Sequence, residues 1–164
     1  MRLGLCIIFL LICSPVYGQS GVLVSKPHLL DVRTPEELGR WMMYNLTYQA
    51  EGPGADYWKS PEETLNDKGG DCEDFAILVQ GVLKELGIDS QLIYVGLPTM
   101  GHMLCFYRMD NGKLAFFSNQ YLMTTNYSSV TAVLDVWFPD WLRVANAEVG
   151  KKYSNWQFND KQKE

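Results

Sequence analysis

The sequence predicts an α+β domain, with helices first and a small antiparallel sheet after them. Three observations carry that prediction. Thr34-Pro35-Glu36-Glu37 and Ser60-Pro61-Glu62-Glu63 each match a capping box with proline at the first helical position. Phe75, Leu78, Val79, Val82, Leu83 and Leu86 then recur at helical spacing behind a glycine pair. From Gln91 the apolar period changes to two, and Asp110-Asn111-Gly112 marks a hairpin turn. Helices followed by strands in one domain place a helix against the sheet.

In chain order, Met1 to Gly18 reads as a signal peptide. Arg2 is the positive start, Leu3 to Cys13 the apolar run, and Val16-Tyr17-Gly18 a small-residue cleavage site. The apolar run is too short to span a bilayer, and no later segment is longer. A single domain follows over 19–150, with a polar tail at 151–164 expected to fray. The first helix is expected from Pro35 to about Gln49, with Leu38, Trp41, Met42 and Leu46 as its apolar stripe. Glu51 to Tyr57 is a loop. A short helix from Pro61 ends near Lys68, and Gly69-Gly70 reads as a turn. Asp71 then caps a helix that starts at Cys72 and stops at Gly87. Strands are expected at Gln91 to Val95, His102 to Arg108 and Lys113 to Asn119, and helical pieces broken by Pro139 over Val130 to Ala145.

Charge and cysteine count narrow the function. The full chain carries −5, and loss of Arg2 with the signal leaves 13 basic against 19 acidic residues. A mildly acidic chain with no basic patch is a poor nucleic-acid binder. Periplasmic or secreted location follows from the signal, and the mature domain reads as a monomer that does not span a membrane. Cys6 and Cys13 leave with the signal, so Cys72 and Cys105 remain. In an oxidising compartment those two could form a disulfide, which competes with any catalytic use of Cys72.

Cys72 occupies the first position of its helix, among unpaired backbone N–H groups and at the positive end of the helix dipole. Both favour thiolate, the nucleophilic form. Of the two histidines, His28 and His102, the second opens a strand one element past that helix. A thiol and an imidazole so placed make a candidate nucleophile and base. A third group should orient the ring, and the hairpin register decides which. If the turn is Asn111 and Gly112 alone, Leu104 faces Asn119, which then lies diagonal to His102, as in the Cys-His-Asn arrangement of papain-like enzymes. A three-residue turn brings in Ser118 instead. Cys105 is three residues from His102 and on the opposite face of the strand, so the catalytic pair and the disulfide exclude each other.

Tyr57-Trp58, Ser60-Pro61-Glu62, Gly70-Asp71-Cys72-Glu73-Asp74, Leu86-Gly87-Ile88, Tyr94-Val95 and His102-Met103 together resemble the bacterial transglutaminase-like cysteine proteases. In particular they resemble the exported, calcium-dependent members that clip adhesins from the cell surface. The resemblance covers about Asp56 to Gln120. It implies a transglutaminase-like or papain-like protease fold, Cys72 as nucleophile, His102 as base, and Asp71 and Glu73 as calcium ligands. It implies a protein or peptide substrate, such as a surface adhesin, and no organic cofactor. The family has aspartate followed by asparagine on the strand after the histidine, where this chain has Phe117-Ser118-Asn119. Three outcomes stay open on that basis: an endopeptidase, an acyltransferase of transglutaminase or amidase type, or a binding module that kept the fold. For the oxyanion, the Cys72 N–H is one expected donor, and Tyr57 and Trp58 are candidates for the second.

Overall fold

A computed structural model describes residues 29–52, 57–151 and 153–162. The signal-peptide reading and His28 lie outside the described residues. Both capping boxes start helices where the sequence places them. Thr34 accepts the Glu37 N–H to open α1 (Pro35–Asn45), which ends one turn earlier than expected because Leu46 is already extended. Thr47–Tyr48 form β1 instead. Ser60 opens α2 (Pro61–Asp67) with both halves of its box in place.

Gly69–Gly70 form a two-residue strand, β2, parallel to β1, where the sequence suggested only a turn. Glycine is required there. A Cβ on Gly69 would run into the Thr47 carbonyl, and one on Gly70 into the Asp74 carboxylate. Asp71 then caps α3 (Cys72–Glu85), and Gly87 at φ 75° turns the chain away.

The sheet comprises β3 (Ser90–Gly96), β4 (Gly101–Arg108), β5 (Leu114–Ser118), β6 (Tyr121–Thr124), β7 (Arg143–Ala147) and β8 (Asn159–Asp160). Their spatial order is β6-β5-β4-β3-β7-β8, and every neighbouring pair is antiparallel. α3 and α1 cover one face, where Phe75, Leu78 and Leu83 meet Leu92, Met103, Cys105 and Phe117. α4 (Val130–Trp137) covers the other, where Val133 and Leu134 meet Val95, Leu104, Phe106 and Phe116.

Three expectations are corrected. Helix does not persist to Ala145, because beyond Pro139 the chain extends as β7 along β3. The tail does not simply fray: Trp156 is 8% exposed in the core beside α3, and β8 pairs with β7. Finally, the β4–β5 register is one residue off the two-residue-turn expectation. Arg108 pairs with Leu114 and Leu104 with Ser118, not Asn119. The cause is Gly112, which at φ 77° takes the left-handed position of a three-residue turn closed by Met109 and Lys113. Asn119 falls in the β5–β6 turn at φ 51°.

Candidate active site

Cys72 is the first residue of α3, and the start of that helix is tied down from several sides. Asp74 is 1% exposed; its carboxylate accepts the Lys59 N–H at 2.8 Å and the Asp71 N–H at 3.2 Å. Lys59 in turn reaches the Gly69 carbonyl at 3.1 Å and Asp67 at 2.9 Å. Asp74, an ordinary helix-start acid in the sequence, is thus the buried clamp joining the loop before α2 to the start of α3. Its burial, which no local pattern announces, separates it from Asp71 and Glu73.

The thiol itself is 7% exposed and donates to Glu73 Oε2 at 2.9 Å. Its sulfur also accepts from the Met103 backbone N–H, so it lies against β4 in the cluster that holds Met103 and Cys105. The ring of His102, the adjacent residue, packs toward the other face of the sheet with Phe138. The imidazole is half-buried. Its Nε2 is 2.9 Å from Ser118 Oγ, and its ring packs on Phe138 with centroids 5.9 Å apart. Ser118, the residue that the three-residue turn brings in, therefore holds the ring, and Asn119, the candidate of the two-residue turn, does not. Asn119 Oδ1 is buried without a hydrogen-bond partner among the described residues. No hydrogen bond joins Cys72 to His102 at rest: one is held by Glu73 and the other by Ser118. Where Nε2–H donates to Ser118, Nδ1 carries the ring's lone pair. Cys72 and Cys105 are both free thiols, so the competing disulfide is absent.

The electrostatics run against the helix-start expectation. Burial, then the charge of Glu73 and its hydrogen bond, push the Cys72 thiol well above the ordinary cysteine range. Asp71 is itself raised to about 6 by burial and by the charges of Glu73 and Asp74. The Tyr48 phenol is raised by burial, then by Cys72, Asp71 and Glu73. Burial lowers His102. At neutral pH the resting pair is therefore thiol and neutral imidazole. The helix dipole supplies about half a positive charge, and carboxylates on both sides of the sulfur outweigh it.

Carboxylates crowded around Asp71 fit a hard cation, which wants several oxygens. Asp71 and Glu73 would supply the side-chain ligands. Among the described residues no three His, Cys, Asp or Glu side chains form a metal-sized group, which leaves backbone oxygens and water for the rest. Among the described residues no helix is long and apolar enough to cross a membrane.

A family model described as the transglutaminase-like superfamily matches residues 28–146. Among solved structures, calcium-bound LapG of Legionella pneumophila matches at 25% identity and TM-score 0.48. That match covers 68% of this chain and 64% of LapG, so the chain spans less than two thirds of it. EGTA-treated LapG matches at 22% identity and TM-score 0.50, over 76% of this chain and 69% of that one. A Cytophaga hutchinsonii structure named as a candidate cysteine protease matches at 19% identity and TM-score 0.43, covering 52% and 30%. No curated protein matches.

Proposed function

The chain belongs to the transglutaminase-like superfamily, and from that premise we propose that it is an exported cysteine endopeptidase acting on cell-surface proteins. The observation that carries the reading is the seam at the start of α3. There the Cys72 sulfur accepts the Met103 N–H, and His102, the adjacent residue of β4, keeps Nε2 on Ser118 with its ring toward Phe138. The reading therefore requires the strand end at Gly101–His102 to bring the ring to the sulfur. In this reading Cys72 gives its proton to His102 Nδ1 and its sulfur attacks the peptide carbonyl. The C–N bond breaks, His102 returns the proton to the leaving amine, and water then hydrolyses the thioester. Ser118 holds the ring's direction as a carboxylate would, without adding negative charge. Asn119 stands in the β5–β6 turn that follows. Asp71 and Glu73 would hold calcium. Bound there, the ion supplies positive charge beside Cys72, which favours thiolate.

Two observations favour a second reading, a binding module that kept the fold: the raised thiol and the serine at the orienting position. Alkylation by iodoacetamide across pH, with and without calcium, separates the two. The protease reading expects a Cys72 reaction that calcium accelerates and His102→Ala slows, together with fragmentation of casein. Incorporation of a labelled amine without fragmentation would instead show acyl transfer. Cys72 alkylating at the same rate in His102→Ala, with casein left intact, would sink both enzyme outcomes.

A further inference from the structure

Resting on Cys72 as the nucleophile of the function above, we propose that Tyr153–Phe158 is a strap that closes the cleft beside Cys72 at rest. It must lift before a peptide can reach the thiol. Strand register places the parts. Tyr94 of β3 is opposite Met103 of β4 on one side and Ala145 of β7 on the other. Opposite residues share a face, so Tyr94, and Arg143 two residues from Ala145, stand on the face that carries α3 and the Cys72 sulfur. The rings of Tyr153, Trp156 and Phe158 pack on Tyr94, with centroids 5.1, 5.5 and 6.0 Å away. Trp156 also meets Trp58, in the loop before α2, at 5.7 Å. The cleft, of about 630 Å³, is lined by Tyr153 and Trp156 together with Glu73 and Gly101. Those last two are the chain neighbours of Cys72 and His102, so the segment walls the space that borders both.

The segment is held by side chains. Among the described residues no backbone hydrogen bond ties Tyr153–Gln157 to the sheet or to α3, and the Trp156 N–H turns back to the Tyr153 carbonyl at 3.1 Å. Arg143 Nη2 donates to Tyr153 Oη at 2.7 Å, and its guanidinium lies 4.7 Å from the centre of the Phe158 ring. β8 pins only the far end, where Asn159 and Asp160 pair with β7. Trp156 Nε1 is buried without a hydrogen-bond partner among the described residues. That unmade bond takes back part of what burial of the indole gains. A segment so held opens locally, at less cost than unfolding the domain. Tyr94 carries the effect to β4. A Cβ on Gly101 would collide with its ring, so a strap seated on Tyr94 also holds the Gly101–His102 strand end. Lifting it frees the end whose movement the proposed function requires.

The two free thiols supply the test. Cys105 is fully buried in the middle of the sheet and reacts only when the domain unfolds, whereas Cys72 reacts on local opening. The full chain is alkylated with iodoacetamide in calcium-free buffer, and each site is followed by mass spectrometry. Tyr153→Phe and Arg143→Met should each speed Cys72 about tenfold, as loss of one hydrogen bond to a charged group shifts the opening, with Cys105 unchanged. Loss of the Arg143 charge can only disfavour thiolate, so a faster reaction there reports access. Amide exchange over 153–158 should rise by the same factor. Exchange that rises while Cys72 keeps its wild-type rate overturns the strap, as does a gain shared equally by Cys72 and Cys105. If Arg143→Met does not fold, Tyr153→Phe decides alone. Faster Cys72 alkylation with casein left intact by wild type and variants keeps the strap and sinks the endopeptidase. Casein cleavage by wild type with Cys72 unchanged in both variants does the reverse.

Discussion

Replacing Ser118 by aspartate installs a carboxylate on the ring nitrogen that now faces a hydroxyl at 2.9 Å. Two unit charges about 4 Å apart at an effective dielectric constant of about 20 attract by about 4 kcal/mol. Withdrawing the new carboxylate from water takes back roughly half of that. The remaining ~2 kcal/mol corresponds to a rise of about 1.5 units in the His102 pKa. The sign of the stability change with pH should reverse accordingly. In the wild type, burial holds His102 below its ordinary 6.5. The unfolded chain then binds more protons, and the stability from neutral His102 is present above that value and lost as pH falls through the folded pKa. In Ser118→Asp the folded pKa lies above the unfolded one. The imidazolium's contribution is then complete below the unfolded value and lost as pH rises through the folded one. The aspartate's own depressed pKa removes its contribution at acid pH. Ring-proton NMR titration in a His28→Gln background reads a single imidazole. A pKa at or below the wild-type value would refute the claim that residue 118 shares Nε2. A raised pKa with peptidase activity about tenfold higher would show that the serine limits turnover.

Other outcomes are expected. Glu73→Gln removes the charge and hydrogen bond that, after burial, raise the thiol; calcium-free alkylation of Cys72 at pH 7.5 should quicken about tenfold for each unit the thiol pKa falls. Trp156→Ala should cost about 3 kcal/mol, because the ring is 8% exposed against the α3 core; a thermal melt should show it as a fall of about 10 °C. Gly70→Ala forces a methyl against the Asp74 carboxylate, and should lower the urea midpoint by the equivalent of about 1–3 kcal/mol at unchanged m. A midpoint equal to wild type would mean that Asp74 does not hold the start of α3.

How far the sequence could be read depended on whether the deciding interaction was local. The Thr34 cap, the Ser60 capping box, the Asp71 cap, the Gly87 stop and the strand alternation on either side of Gly112 are satisfied within a few residues of themselves. They appear where the chain places them. The strand at Arg143–Ala147 and the burial of Trp156 are long-range outcomes. Val144 and Ala145 pair with β3, about fifty positions back in the chain, and nothing in their own neighbourhood favours strand over helix strongly enough to announce it. The choice between Ser118 and Asn119 turned on one φ angle. With Gly112 in the left-handed position the turn holds three residues, and a one-residue change of register moves every side chain of β5 to the other face.

The thiol shows the same limit in electrostatic form. A helix start favours thiolate by a dipole effect of about 0.3–1 kcal/mol, and by that rule Cys72 stands out in the sequence. The rule counts only the helix's own partial charges. Glu73 turns back onto the sulfur at 2.9 Å, and Asp71 caps the same turn, so full negative charges sit nearer than the dipole's half charge. The carboxylates that mark the motif in sequence are thus the ones that hold the Cys72 thiol protonated at rest. Activation must then come from something that draws Glu73 off the sulfur or offsets its charge: a divalent cation on Asp71 and Glu73, or a substrate whose own groups displace the carboxylate. These differ in one measurable respect. A cation shifts the pH profile of alkylation in the free protein, whereas displacement by substrate leaves that profile unchanged and shifts only the profile of acylation.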